Sequence, residues 1–247
     1  MVFSGQGRFS RRQLLAVLSL AVTIATPAVS VAQTTTDLAV SCDSAAAPAV
    51  IAAAKAYRTK SGIRVHVFPT APGLLLPQIE RDIQNDIVVT QIATIDQAEK
   101  QGLLAPGART GSWRNRLVTA AARDPAGPEG SFATPDPSPA SDIDGLAILR
   151  RLGPPPAKIF GVIDTGAVAW TLTNGGARLG LLHQTEVAAD DRLRVIAPVP
   201  DEAWPPIVYQ AAVTKLTRRG DPAAFLAFLA TAEGTAALQA AGLEAIA

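Results

Sequence analysis

Between Asp37 and Gly102 the apolar residues change period from one short segment to the next, and this alternation restricts the chain to folds that interleave strands and helices. Asp37 to Cys42 is a short apolar run with room for one strand, and Cys42 is expected to be buried in it. The Ala-rich segment from Ala45 to Lys60 carries helical spacing and stops at Gly62. Ile63 to Phe68 alternates Ile63, Val65 and Val67 against Arg64 and His66, the pattern of a strand. Gly73 to Gln84 reads as a helix with Leu75, Leu76 and Ile79 inward, Asp86 to Thr90 as a buried strand, and Ile95 to Gln101 as a helix closed by Gly102. Parallel neighbours need a crossover, and a helix supplies it, so this unit predicts a mostly parallel sheet with helices on both faces.

Downstream, the segment from Asp124 to Pro139 holds five prolines and reads as a connection without a regular element. Ser141-Asp142-Ile143-Asp144 reads as a helix start capped by Ser141, running to Leu152 and stopped by Gly153-Pro154-Pro155-Pro156. A helix is predicted over 163–172, with strands over 179–183 and 194–198. Asp221-Pro222 places a cap and a first-turn proline at the start of a helix, and Gly234 and Gly242 are expected to punctuate the two closing helices.

The first 32 residues follow a different logic. Arg11-Arg12 precedes an apolar run to Ala25, Pro27 breaks it, and Ser30-Val31-Ala32 puts small residues before a cleavage point, the layout of an export signal. The run is shorter than the roughly 20 residues of a membrane-spanning helix. The arginine pair resembles a twin-arginine signal, with the general export route open as the alternative. The whole chain carries 22 basic and 21 acidic residues; losing Arg8, Arg11 and Arg12 with the signal leaves 19 against 21, a net charge of −2. That balance, without basic runs, argues against a nucleic-acid partner. One Cys and two His, His66 and His183, cannot build a Cys- or His-rich metal site. The sequence has no phosphate-binding glycine loop after a strand and no nucleophile elbow, so no enzyme activity and no cofactor are expected.

An ordered set of short segments carries a resemblance. It comprises Ser61-Gly62-Ile63-Arg64-Val65, Gln78-Ile79-Glu80 followed by Asp86-Ile87-Val88-Val89, Asn115-Arg116-Leu117-Val118, Asp136-Pro137, Leu152-Gly153, Gly166-Ala167, Gly180-Leu181-Leu182, Pro206 to Val213, and Ala224 to Leu229. In that order they resemble the periplasmic molybdate-binding proteins, the solute receptors of ABC importers, over 37–247, with a shorter segment between Val118 and Phe132 than the family usually carries. The resemblance implies a two-lobed α/β protein of the type II periplasmic binding fold. It implies lobe 1 from residues 37–114 plus 199–247, lobe 2 from 115–198, and two hinge crossings, with Trp113 and Trp204 near them.

It also implies a site. In that family a tetrahedral dianion is held between the lobes by backbone N–H groups at helix N-termini and by hydroxyls, without a countercharge. The corresponding turns here are Asp43-Ser44-Ala45, Thr70-Ala71-Pro72-Gly73, Pro139-Ala140-Ser141 and Asp164-Thr165-Gly166, with His183 where the family has a Tyr hydroxyl. The implied ligand residues are Ser44, Ala45, Thr70, Ala71, Ala140, Asp164, Thr165 and His183, and the implied ligand is molybdate, tungstate or a related oxyanion, molybdenum or tungsten entering only as oxyanion. The implied setting is a monomer in the periplasm that meets an ABC permease in the inner membrane. Asp43 and Asp164 either cap their own helices or mark a changed ligand, another anion or a cationic or neutral solute. A sensor or accessory protein that kept the scaffold is the alternative from another class.

Overall fold

The computed structural model describes residues 37–81, 85–138, 140–141, 143–205, 207–217 and 220–246. The export signal read over 1–32 lies outside the described residues, as do Gln84, Pro139, Asp142 and Pro206.

The first half builds as its periodicity demands. β1 (Leu38–Asp43) is buried at every residue because it lies inside the sheet, between β2 (Val65–Thr70) and β3 (Ile87–Gln91), and pairs with both in parallel. Cys42 is fully buried in it; burial pushes the thiol well up, and the neighbouring Asp43 charge adds to this. α1 (Ala47–Ser61) packs its small face, Ala49, Val50, Ala53 and Ala54, on the sheet, and Gly62 closes it by donating its N–H to Arg58 O at 2.9 Å. α2 (Pro72–Glu80) and α3 (Ile92–Lys100) bury Leu75, Ile79, Ile95 and Ala98 in a separate cluster with Val88.

The chain then departs from the sequence reading. β4 (Leu104–Asn115), β5 (Leu117–Ala122) and β6 (Ser131–Pro135) follow. β6 corrects the expectation that Asp124 to Pro139 is only a connection. All five of its residues are buried, and its hydrogen-bond partners come from β7 (Lys158–Val162) and β8 (Leu179–His183), which no local pattern near Ser131 reveals. Between these strands lie α4 (Gly145–Leu152) and α5 (Thr165–Thr173); α6 (Gln184–Ala189), β9 (Leu193–Pro198), β10 (Ile207–Thr214), α7 (Pro222–Leu229), α8 (Ala232–Ala240) and β11 (Leu243–Ala245) complete the order. α4 is capped by Asp144, whose carboxylate accepts from Ala147 N at 2.9 Å, and not by Ser141, whose hydroxyl accepts from Ile143 N at 3.2 Å in the turn before. The cap expected from Asp221-Pro222 forms as read, with Asp221 accepting from Ala224 N at 3.1 Å.

Gly234 does not end a helix. It sits in the first turn of α8, which Thr231 caps, and a Cβ there would lie 2.1 Å from Phe228 O. The missing side chain lets α8 start against the end of α7.

Both sheets are mixed. The first has the order β11-β4-β10-β3-β1-β2 and the second β7-β6-β8-β5-β9. The parallel expectation holds for β1 to β3 and for β6 to β8; β10, β4 and β11, and likewise β5 and β9, extend the sheets antiparallel. Read from the edge, β2-β1-β3-β10-β4 and β7-β6-β8-β5-β9 repeat one arrangement, so equivalent strand-to-helix turns occur in both lobes. The chain passes between the sheets at Arg116 and again between β9 and β10. Trp204, in the second passage, packs against the cores of both, while Trp113 belongs to the first core. Arg114 pairs with Asp201 at 3.1 Å and Arg116 with Glu244 at 2.6 Å, tying the two passages to the end of the chain.

Candidate functional site

Each predicted site residue stands at the C-terminal end of a strand or in the turn that leads from it into a helix. In the first turn the backbone is already committed. Ser44 N donates to Thr70 O at 2.9 Å, Ala45 N to Asp43 Oδ1 at 3.0 Å, and Ala46 N to Asp43 O at 2.9 Å. Asp43 is buried, Ser44 exposed and Ala45 buried, so the hydroxyl of Ser44 faces outward while the amide of Ala45 is held by the chain's own carboxylate.

The second turn is joined to the first by the bond from Ser44 to Thr70. Thr70 is buried, and its hydroxyl donates to Phe68 O at 3.2 Å and lies 3.4 Å from Gln78 Oε1. Ala71 caps α2 without a side-chain bond, and Pro72 follows with no N–H to offer.

In the other lobe, Ala140 N donates to Ser138 Oγ at 3.2 Å, and Ser138 Oγ donates to Ile163 O at 3.2 Å, which links the third turn to the fourth. Asp164 caps α5 by accepting from Ala167 N at 2.7 Å. That cap shortens the predicted helix over 163–172 at its start, leaving Ile163 outside it. Thr165 is buried, and its hydroxyl donates to Glu186 Oε1 at 2.6 Å.

Glu186 is the residue the sequence reading missed. Besides Thr165, its carboxylate accepts from His183 N at 2.9 Å and meets His183 Nδ1 at 3.1 Å. The local signal was present: His183 and Glu186 have the spacing of a capping box, with an acid three residues after the cap. Burial pushes Glu186 up. The His183 ring and its charge, then the Thr165 hydroxyl and the His183 amide, outweigh that and hold it below the ordinary carboxylate range.

A group depressed in the folded state contributes stability above its unfolded pKa, and that contribution is lost as pH falls through the folded value. Glu186→Gln is therefore expected to lower stability at pH 7 and to flatten its decline below pH about 4, the ordinary glutamate range. Urea unfolding of both proteins across pH 3 to 7 measures this; parallel curves for the two would show that Glu186 is not the group responsible.

The structure thus brings all eight predicted residues into two linked groups, one per lobe. Ser44, Ala45, Thr70 and Ala71 form the first; Ala140, Asp164, Thr165 and His183 form the second. The groups touch where Thr185, two residues after His183, donates its hydroxyl to Ala45 O. The turns carry no Lys or Arg, so any charge they hold is negative, from Asp43, Asp164 and Glu186, or lies on His183.

Two mixed sheets of one repeated strand order, joined by two crossings and facing each other through helix-starting turns, are the two-lobed type II periplasmic binding fold. Residues 38–244 match the family described as bacterial extracellular solute-binding protein, and the chain belongs to that family. Among solved structures it is similar to the Azotobacter vinelandii periplasmic molybdate-binding protein, at 19% identity and a TM-score of 0.70, over 84% of this chain and 98% of that one. It is also similar to the sulfate-binding protein SubI from Mycobacterium tuberculosis, at 14% identity and a TM-score of 0.64, over 85% and 87%. Iron-bound HitA from Pseudomonas aeruginosa matches at 20% identity and a TM-score of 0.53, over 82% and 83%. A comparison with curated proteins found no match.

Proposed function

We propose that this protein is the exported receptor of an ABC importer and that it binds a small oxyanion, molybdate or tungstate or a related tetrahedral anion, between its lobes. The observation that carries this reading is where the turn acids point. Asp43 is turned back onto the amide of Ala45 in the turn before α1, and Asp164 caps α5 through the amide of Ala167, so each carboxylate is engaged by its own backbone. The contacts proposed for the anion are Ser44, Thr70, Ala71, Ala140, Asp164, Thr165 and His183, with Ala45 shaping the floor while its amide stays with Asp43. Neutral donors and helix ends suffice for a dianion in a dry site.

The similarity to molybdate- and sulfate-binding proteins supports an oxyanion. A bare metal cation is less well served: among the described residues no group of three or more His, Cys, Asp or Glu could hold a metal ion. The lobes, 37–114 with 199–247 and 115–198, close by a hinge at the two passages, and a ligand that touches both favours the closed form. The receptor acts as a monomer, is exported by the signal over 1–32, cut near Ala32, and hands its cargo to an inner-membrane permease.

The test is the melting temperature of residues 33–247 with millimolar molybdate, tungstate, sulfate and phosphate. A ligand at 100 times its Kd adds about 2.7 kcal/mol, which for a chain of this size raises Tm by roughly 5–10 °C. No shift with any of them removes the oxyanion reading. A second reading has its own observation, the ionised Glu186 carboxylate beside Thr165 and His183, which suits a solute bringing N–H or O–H donors. It predicts a shift with a neutral or cationic solute and none with the four anions.

A further inference from the structure

The seam between the lobes is built around one hydroxyl. Thr185 is the second residue of α6, the short helix that follows His183 in lobe 2, yet it is completely buried, and its Oγ1 donates to the carbonyl of Ala45 in lobe 1. Asn115, the last residue before the first passage, gives both amide protons to this pair, to Thr185 Oγ1 at 2.9 Å and to Ala45 O at 3.2 Å. Gly242, in the left-handed region at φ 97, brings the C-terminal segment of lobe 1 backbone to backbone against Thr185; a Cβ there would lie 3.1 Å from Thr185 N and Cα. Four segments far apart in sequence therefore meet at a single residue.

We propose that Thr185 is a positioning residue that sets the separation of the lobes, and with it the spacing between the turns that flank the cleft. Thr185 lies two residues from His183, and Ala45 follows Ser44, so their bond ties one candidate ligand turn of each lobe directly to the other. Sliding or opening the seam must break it. Asn115, at the end of β4 in the first sheet, braces the same three-residue unit beside the hinge, so a rotation at the first passage carries Thr185 Oγ1 away from Ala45 O and Asn115 Nδ2 together. Without the Thr185 hydroxyl, Ala45 O loses one donor and Asn115 Nδ2 one acceptor in a dry seam, and a more open form in which water supplies them is favoured.

The inference rests on the two-lobed reading of the site and not on the identity of the ligand, so it is tested on the unliganded protein. Spin labels are placed on Lys55→Cys in lobe 1 and Arg150→Cys in lobe 2, both exposed, while Cys42 is fully buried and escapes labelling. Pulsed electron-electron resonance then gives the distribution of distances between lobes. Thr185→Ser, which keeps the hydroxyl, is expected to reproduce the wild-type distribution. Thr185→Val, which keeps the shape, is expected to shift it to longer distances, with the open population raised about tenfold, the effect of one or two lost hydrogen bonds. A Thr185→Val distribution that superimposes on wild type overturns the proposal, whatever the anions do to the melting temperature. If that variant does not fold, Asn115→Ala tests the same unit from the hinge side, with the same lengthening expected and an unchanged distribution counting against it.

Discussion

Asp43→Asn is expected to tighten binding of whichever oxyanion raises the melting temperature, by at least tenfold in Kd measured calorimetrically. Asn keeps an oxygen in place to accept from Ala45 N, as Asp43 Oδ1 does at 3.0 Å, and replaces the other carboxylate oxygen with an uncharged NH2. Two like unit charges about 4 Å apart at an effective dielectric of 20 repel by about 4 kcal/mol, and a tenfold gain uses less than half of that. The rest allows for compensation of the Asp43 charge by the Ala45 amide. The cost to stability is about 1 kcal/mol, the difference between a hydrogen bond to a charged and to a neutral acceptor at Ala45 N. An unchanged Kd would mean that the anion does not sense Asp43, and that the first turn lies outside the site.

Phe225→Ala is expected to lower stability by about 3–5 kcal/mol, the range for removing a large aromatic from a packed core. Phe225 is fully buried, with its ring 5.2 Å from that of Tyr57 at 65° and 6.4 Å from that of Phe228 at 19°. These rings fasten α1 to α7, so the substitution opens a cavity and removes one edge-on and one stacked aromatic contact together. For a chain of this size the melting temperature should fall by on the order of 10 °C. The cluster lies behind the sheet, away from the cleft turns, so ligand affinity measured below the transition should stay within twofold of wild type. A large loss of affinity in a folded variant would show that this core and the site are coupled.

Much of the fold is legible wherever a segment's burial is set by its own periodicity. β1, α1 and β8 were readable because each presents one continuous apolar face, and Asp221-Pro222 because capping is a matter of adjacent residues. β6 was not readable, since Pro128 shortly before it and Pro135 and Pro137 at its end mask a strand that only its distant partners complete. The start of α4 was misplaced for a related reason: Ser141 and Asp144 are both competent caps, and the path of the chain out of β6 decides between them.

The candidate site divides in the same way. The positions of its turns follow from the order of strands and helices, which places Ser44, Thr70, Ala140 and Asp164 at equivalent ends of two sheets. What those turns can offer a ligand does not follow from order. Asp43 takes the amide of Ala45, and Glu186 takes the Thr165 hydroxyl and the His183 ring, and both are facts of side-chain direction.

The sequence by itself therefore determined an α/β chain with alternating elements and the set of turns from which donors can come. Only the tertiary structure decided that Asp43 and Asp164 turn back onto amides of their own turns, that Glu186 joins two turns of lobe 2, and that Thr185 joins the lobes. The physical reason is range. Periodicity and capping act over a few neighbouring residues and are written locally, whereas a hydrogen bond from Thr185 to Ala45 links positions 140 residues apart and exists only once both sheets are assembled.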